Sequence, residues 1–223
     1  MHEHGHDLEL GGSGPGGTGG SRSPGGLGVT PTPDDGTRLS RRRVWDESTR
    51  PTSPEAHEGS AYTAAQRSNA QHLVDVHDHL RGELAQVRDL VRQVASGVLD
   101  VGVARSTINT MTMRQNSWTL GAYCESYCRV VTMHHRIEDQ SMLPHLRSAD
   151  PRLGPVVDRL VQEHRVIHDV LEQVDAALVE LVRRPETIGA VQDAVDLLSD
   201  TLLSHLSYEE RELVEPLARL GMW

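Results

Sequence analysis

Lysine and phenylalanine are absent from this 223-residue chain, and cysteine occurs twice. All 22 cationic side chains are therefore arginine, which excludes Schiff-base and P-loop chemistry, because both need a lysine amine. Cys124 and Cys128 are too few for a disulfide framework. They read as small core residues of a protein kept in a reducing compartment. No apolar run approaches the ~20 residues needed to cross a bilayer. Arg41, Arg42 and Arg43 precede Val44, Trp45, Asp46 and Glu47 instead of the apolar stretch that a twin-arginine export signal requires. The expectation is a cytoplasmic protein that touches no membrane. A net charge of −10, of which −7 falls on residues 59–223, also argues against a nucleic-acid partner.

Glycine and proline are plentiful but confined. The first 58 residues hold 12 of the 20 Gly and 6 of the 11 Pro, in runs such as GGSGPGGTGGSRSPGGLG. Such a segment buries too little apolar surface to offset the entropy of ordering, so residues 1–58 are expected to form a disordered tail. His2, His4 and His6 at its start are read as an incidental cluster. Residues 59–223 form the second unit, an all-α domain. Leu73, His77, Leu80, Leu84, Val87, Val91 and Val94 make one helical face that ends near Gly97. A second helix is expected over 118–146, with Tyr127, Val131, His134, Glu138 and Met142 on one side. The 98–117 connection is long enough to hold a short helix near 105–113. Asp150 before Pro151 is an N-cap signal. It opens a third helix marked by Leu153, Val157, Leu160, His164, His168 and Leu171, which stops before Pro185. The fourth begins near Thr187. Four amphipathic helices with no competing strand pattern predict an antiparallel four-helix bundle.

The apolar stripes of all four helices carry ionisable groups at comparable depth: His77; His134 and Glu138; His164 and His168; His205 and an acid soon after it. Residues four apart lie about 40° apart on a helix, so each pair can aim at one point. Imidazoles and carboxylates that converge in a bundle core are metal ligands more economically than anything else, because an unpaired buried ionisable group costs several kcal/mol. On the fourth helix the acid is either Glu209 or Glu210. Glu209 shares the His205 face of a straight helix, but its stripe continues through Glu212, Pro216 and Arg219 and looks polar. Glu210 continues through Leu213, Leu217 and Leu220, a core face that a one-residue π-bulge would bring into phase. Glu138 and Glu210 each precede a proline by six residues, and Glu210 is the choice made here.

One histidine on the first helix, His134-x-x-x-Glu138 on the second, His164-x-x-x-His168 on the third and His205-x-x-x-x-Glu210 on the fourth resemble the ligand pattern of hemerythrin and the bacterial hemerythrin-like HHE proteins. His77, followed by Leu80 and Arg81, is similar to the family's usual context for the first of these ligands. The resemblance covers about residues 70–220 and implies a hemerythrin-like bundle. It also implies two non-haem iron ions, joined by two carboxylates and an oxo or hydroxo group. Five imidazoles, two bridging carboxylates and the oxygen bridge would fill eleven of twelve octahedral positions and leave one for dioxygen, nitric oxide or peroxide. The resemblance departs in two places: the His77 to His134 segment is long, and Leu143 and Val214 stand where the family often has phenylalanine.

The function so expected is binding of dioxygen or a related small ligand, for delivery or sensing. The alternatives are an enzyme that consumes peroxide or nitric oxide, and a regulator whose tail responds to iron or oxygen. Tyr123, Tyr127 and Tyr208 are placed as core residues able to reach bound oxygen, Trp118 and Met142 as packing residues. His135, turned about 100° from His134, is left to the surroundings of the site or to solvent, and His145 to helix capping.

Overall fold

A computed structural model describes residues 26–55, 61–97 and 125–221. The tail to residue 25 with its three histidines, the expected helix at 105–113, Trp118, Tyr123 and Cys124 lie outside the described residues. Among the described residues the chain forms four helical rods. The first is α1 (Ala64–Ala95), whose start is fixed by a capping box: Thr63 accepts from the Gln66 amide while the Gln66 side chain returns to the Thr63 amide. It ends at Gly97, whose φ of 72° is the left-handed conformation that glycine adopts without a Cβ clash. The second rod comprises α2 (Glu125–Ile137), a π-helical turn (Glu138–Met142) and α3 (Leu143–Ala149). Asp150 caps the short 3-10 turn Pro151–Leu153 by accepting from the Arg152 amide, and α4 (Gly154–Arg183) follows directly. Pro185 closes that rod, and α5 (Ile188–Leu220) is the fourth.

Each rod interrupts its apolar stripe at the same height. The apolar interior is therefore two clusters with a polar layer between them. One contains Leu73, Met142, Leu146, Leu160, Leu213 and Leu217. The other contains Leu80, Tyr127, Val131, Ile167, Leu202 and Leu206. Between them come His77, the 134–138 turn, the 163–164 pair and the 205–210 turn. Burial of each leucine contributes about 1.5–3 kcal/mol, so the apolar clusters hold the rods while the polar layer lies between them, its His77, Glu138, His164, His205 and Glu209 side chains buried. Among the described residues, no helix is long and apolar enough to cross a membrane.

Residues 26–55, assigned to a disordered tail on composition, lie against the bundle instead. Leu27 and Val29 are buried in the first apolar cluster, at 0% and 5% exposure. Beyond them the segment is held by acids of α5. The Leu39 and Ser40 amides donate to Asp200, the Thr32 amide to Glu210 and the Ser53 amide to Glu212. Tyr208 in turn donates to the Pro51 carbonyl. A chain rich in Gly and Pro forms only the short 3-10 turn Glu47–Thr49 here, but its backbone donors find buried carboxylates, which is a sufficient reason to be ordered.

Candidate metal centre

The polar layer gathers seven side chains into two adjoining groups. His77, His134, Glu138 and Glu209 form one, and His135, His164 and His205 the other; within each group the potential ligand atoms all lie within 4.8 Å of one another. Both carboxylates stand between the groups. Glu138 approaches His134 Nε2 at 3.2 Å and His164 Nε2 at 3.7 Å, and Glu209 Oε2 approaches His77 Nε2 at 3.7 Å and His205 Nε2 at 3.4 Å. His135 stacks on His164 with ring centroids 4.1 Å apart and planes 6° apart.

Five residues of the sequence-predicted set, His77, His134, Glu138, His164 and His205, are thus brought together, and two are not. His168 lies outside the layer with its side chain 55% exposed, its Nε2 3.4 Å from Glu172. At its level α4 turns Ile167 and Leu171 inward, so the core stripe passes through 160, 163–164, 167 and 171, and His168 falls on the edge. Glu210 is buried but faces away from the cluster: it takes the outer nitrogen of His77, Nδ1, at 2.9 Å, and also accepts from Arg81 and the Thr32 amide. The one-residue slip supposed for the fourth helix is absent. α5 runs unbroken through 205–210, and the π-turn lies on the second rod at Glu138–Met142. Glu209 therefore keeps the face of His205.

His135 and Glu209 take part where the sequence reading did not place them. A signal for Glu209 existed, since His205 and Glu209 repeat the spacing of His134 and Glu138. For His135 there was none: neighbours on a helix point about 100° apart, and both can face inward only where the rod overlooks two adjoining groups.

Carboxylates outside the cluster hold three of the five histidines by their far nitrogens. Glu210 holds His77 Nδ1, Asp139 holds His164 Nδ1 at 2.8 Å, and Glu163 holds His205 Nδ1 at 3.1 Å. Such partners fix the tautomer and turn each Nε2 inward. Burial, reinforced by His77, lowers the His134 imidazole to about 3, so it is a neutral lone-pair donor at neutral pH. Burial likewise drives His135 well down, with His164 and His205 adding to it. Burial and then the Glu209 charge push Glu138 well up, whereas His205 and His77 hold Glu209 down against its own burial.

His77 Nε2 and His134 Nε2 pair with each other at 3.1 Å, but other inner atoms of this arrangement lack partners. His135, His164 and His205 Nε2, Glu138 Oε2 and both Glu209 carboxylate oxygens are buried without a hydrogen bond. Each such group costs about 1–3 kcal/mol, and a set of imidazole nitrogens and carboxylate oxygens converging on one volume suits divalent cations. The donor set fits a metal. The chain matches the family profile described as Hemerythrin HHE cation binding domain over residues 68–217. The chain belongs to that family. Comparison with curated proteins and with solved structures gave no match. Hemerythrin-type cation binding thus accounts for a polar layer that would otherwise be a costly fault in the core.

The remaining polar side chains near the layer have other partners. Tyr127 donates to the Leu80 carbonyl and Tyr208 to Pro51. Met142 packs in the apolar cluster. His145 Nε2 lies 3.3 Å from the Leu220 carbonyl, at the last turn of α5, where a helix end has unpaired carbonyls.

Proposed function

We propose that the chain holds two non-haem iron ions in this layer. His77 and His134 would bind one, His135, His164 and His205 the other, and Glu138 and Glu209 would bridge them. The observation that carries this reading is the position of the two carboxylates, each facing histidines of both groups. Five imidazoles and two carboxylates reproduce the inventory that the sequence pattern implies, with His135 and Glu209 in place of His168 and Glu210. Iron held by these residues would supply redox chemistry and binding of dioxygen or a related small ligand.

The protein's own contribution is to orient the imidazoles through Glu210, Asp139 and Glu163, and to keep bulk water out with an apolar cluster on either side. Binding for delivery or sensing is favoured over turnover of peroxide or nitric oxide. Among the described residues, the Tyr127 and Tyr208 hydroxyls donate to backbone carbonyls, and reductive cleavage of a bound ligand needs a proton donor. Spectra of the anaerobically loaded iron(II) protein test this. Admission of dioxygen is expected to produce a visible band that bleaches when the gas is removed; steady consumption of peroxide or nitric oxide without a reversible band would favour the enzyme.

A further inference from the structure

The N-terminal segment reaches the surroundings of the cluster from outside the four rods. The Arg50 side chain is 5% exposed and forks onto Glu163, with Nε donating to Oε1 at 2.8 Å and Nη2 to Oε2 at 2.9 Å. Its Nη1 donates to Ser204 Oγ at 2.9 Å, and its guanidinium carbon lies 4.6 Å from the centre of the Tyr208 ring. The Glu163 oxygen that receives Nη2 is also the one that meets His205 Nδ1. Arg159, from the same helix as Glu163, reaches only the other oxygen, Oε1, at 2.7 Å. Earlier in the segment, the Thr32 amide donates to Glu210 at 2.7 Å, and Glu210 holds His77. One extended stretch of chain thus touches the carboxylates behind two histidines, one from each group.

We propose that residues 26–55 are a strap that completes the metal centre from outside the bundle, with Arg50 the positioning residue that aims His205 through Glu163. A bidentate guanidinium fixes a carboxylate in both rotation and distance, which a single charge does not do. Without Arg50, Glu163 is left one-sided in a dry site and free to turn, and His205 loses the fixed acceptor that orients its ring. Loss of such an outer partner typically costs 10–100-fold in metal affinity. The effect falls on one ion, because Arg50 reaches His205 alone. This inference rests on the two-ion reading above.

The test is release of iron(II) from the full-length loaded protein to a chromogenic chelator. In the Arg50→Ala variant one of the two ions is expected to leave about 10–100-fold faster, while the other leaves at the wild-type rate. Arg50→Lys, which keeps the charge without the fork, is expected to fall between, and it serves if the alanine variant does not fold. Equal acceleration of both ions, or wild-type rates for both, overturns the positioning role. Fewer than two ions in the wild type defeats the two-ion reading by itself. A second readout, on metal-free protein, then decides the inference: in the wild type the His205 Nδ1 proton is expected to give a slowly exchanging nuclear magnetic resonance signal, which Arg50→Ala is expected to abolish. Persistence of that signal overturns the proposal.

Discussion

Glu209→Ala is expected to reduce bound metal from two ions per chain to one or none, whereas Glu210→Ala retains two at saturating metal. The contrast follows from where the adjacent carboxylates face. Glu209 has both oxygens inside the cluster with no hydrogen-bond partner; Glu210 is engaged by His77, Arg81 and Thr32 outside it. A unit charge about 4 Å from its counter-ion, at an effective dielectric near 20, is worth about 4 kcal/mol, or about a thousandfold in affinity. A carboxylate that faces two cations loses that with each. Glu210 acts through the His77 imidazole, so its removal is expected to weaken one ion by about 10–100-fold. Metal titration followed by elemental analysis distinguishes them. Thermal melting provides a second readout, because a ligand at a thousand times its dissociation constant stabilises by about 4 kcal/mol. The difference in Tm between loaded and metal-free protein is expected to collapse for Glu209→Ala and to narrow for Glu210→Ala. A normal two-ion content in Glu209→Ala, with loss in Glu210→Ala, would mean that α5 rotates on loading.

The second large contrast is between His135 and His168. His135→Ala is expected to cost one of the two ions, because this imidazole stacks on His164 with an unpartnered nitrogen facing the second group. His168→Ala is expected to leave metal content unchanged and stability within about 0.5 kcal/mol of wild type, as for an exposed side chain away from any special feature. The outcome reads directly in metal-to-protein ratios. Loss of an ion in His168→Ala with no loss in His135→Ala would restore the His164-x-x-x-His168 pairing.

These two contrasts mark where the sequence became hard to read. The rods themselves were plain: Leu73 to Val91 on α1 and Val157 to Leu171 on α4 repeat at helical spacing, and Asp150, Pro151 and Pro185 mark the ends. His77, His134, Glu138, His164 and His205 were legible because each interrupts an apolar stripe. Glu209 was obscured because the stripe it continues, through Glu212 and Pro216, looks solvated. It is in fact buried, with Glu212 at 4% exposure, because the strap lies over that side of α5. The strap also reaches buried Asp200 through the Leu39 and Ser40 amides and buried Ser204 through Arg50. A helix enclosed on every side shows no clean polar face from which to set its phase. The strap escaped notice for a related reason: its binding comes from backbone amides and from Arg50, and neither shows as hydrophobic periodicity. His168 misled by spacing alone, since four residues on from His164 the inward position has already passed to Ile167.

Beneath all of these expectations lies the claim that the polar layer is a site for two cations. Elemental analysis of protein purified from its native host, combined with iron titration of the metal-free chain, measures this directly. Two iron ions per chain are expected, with titration ending at a ratio of two. A chain that remains metal-free at saturating iron, and whose thermal stability iron leaves unchanged, would contradict it.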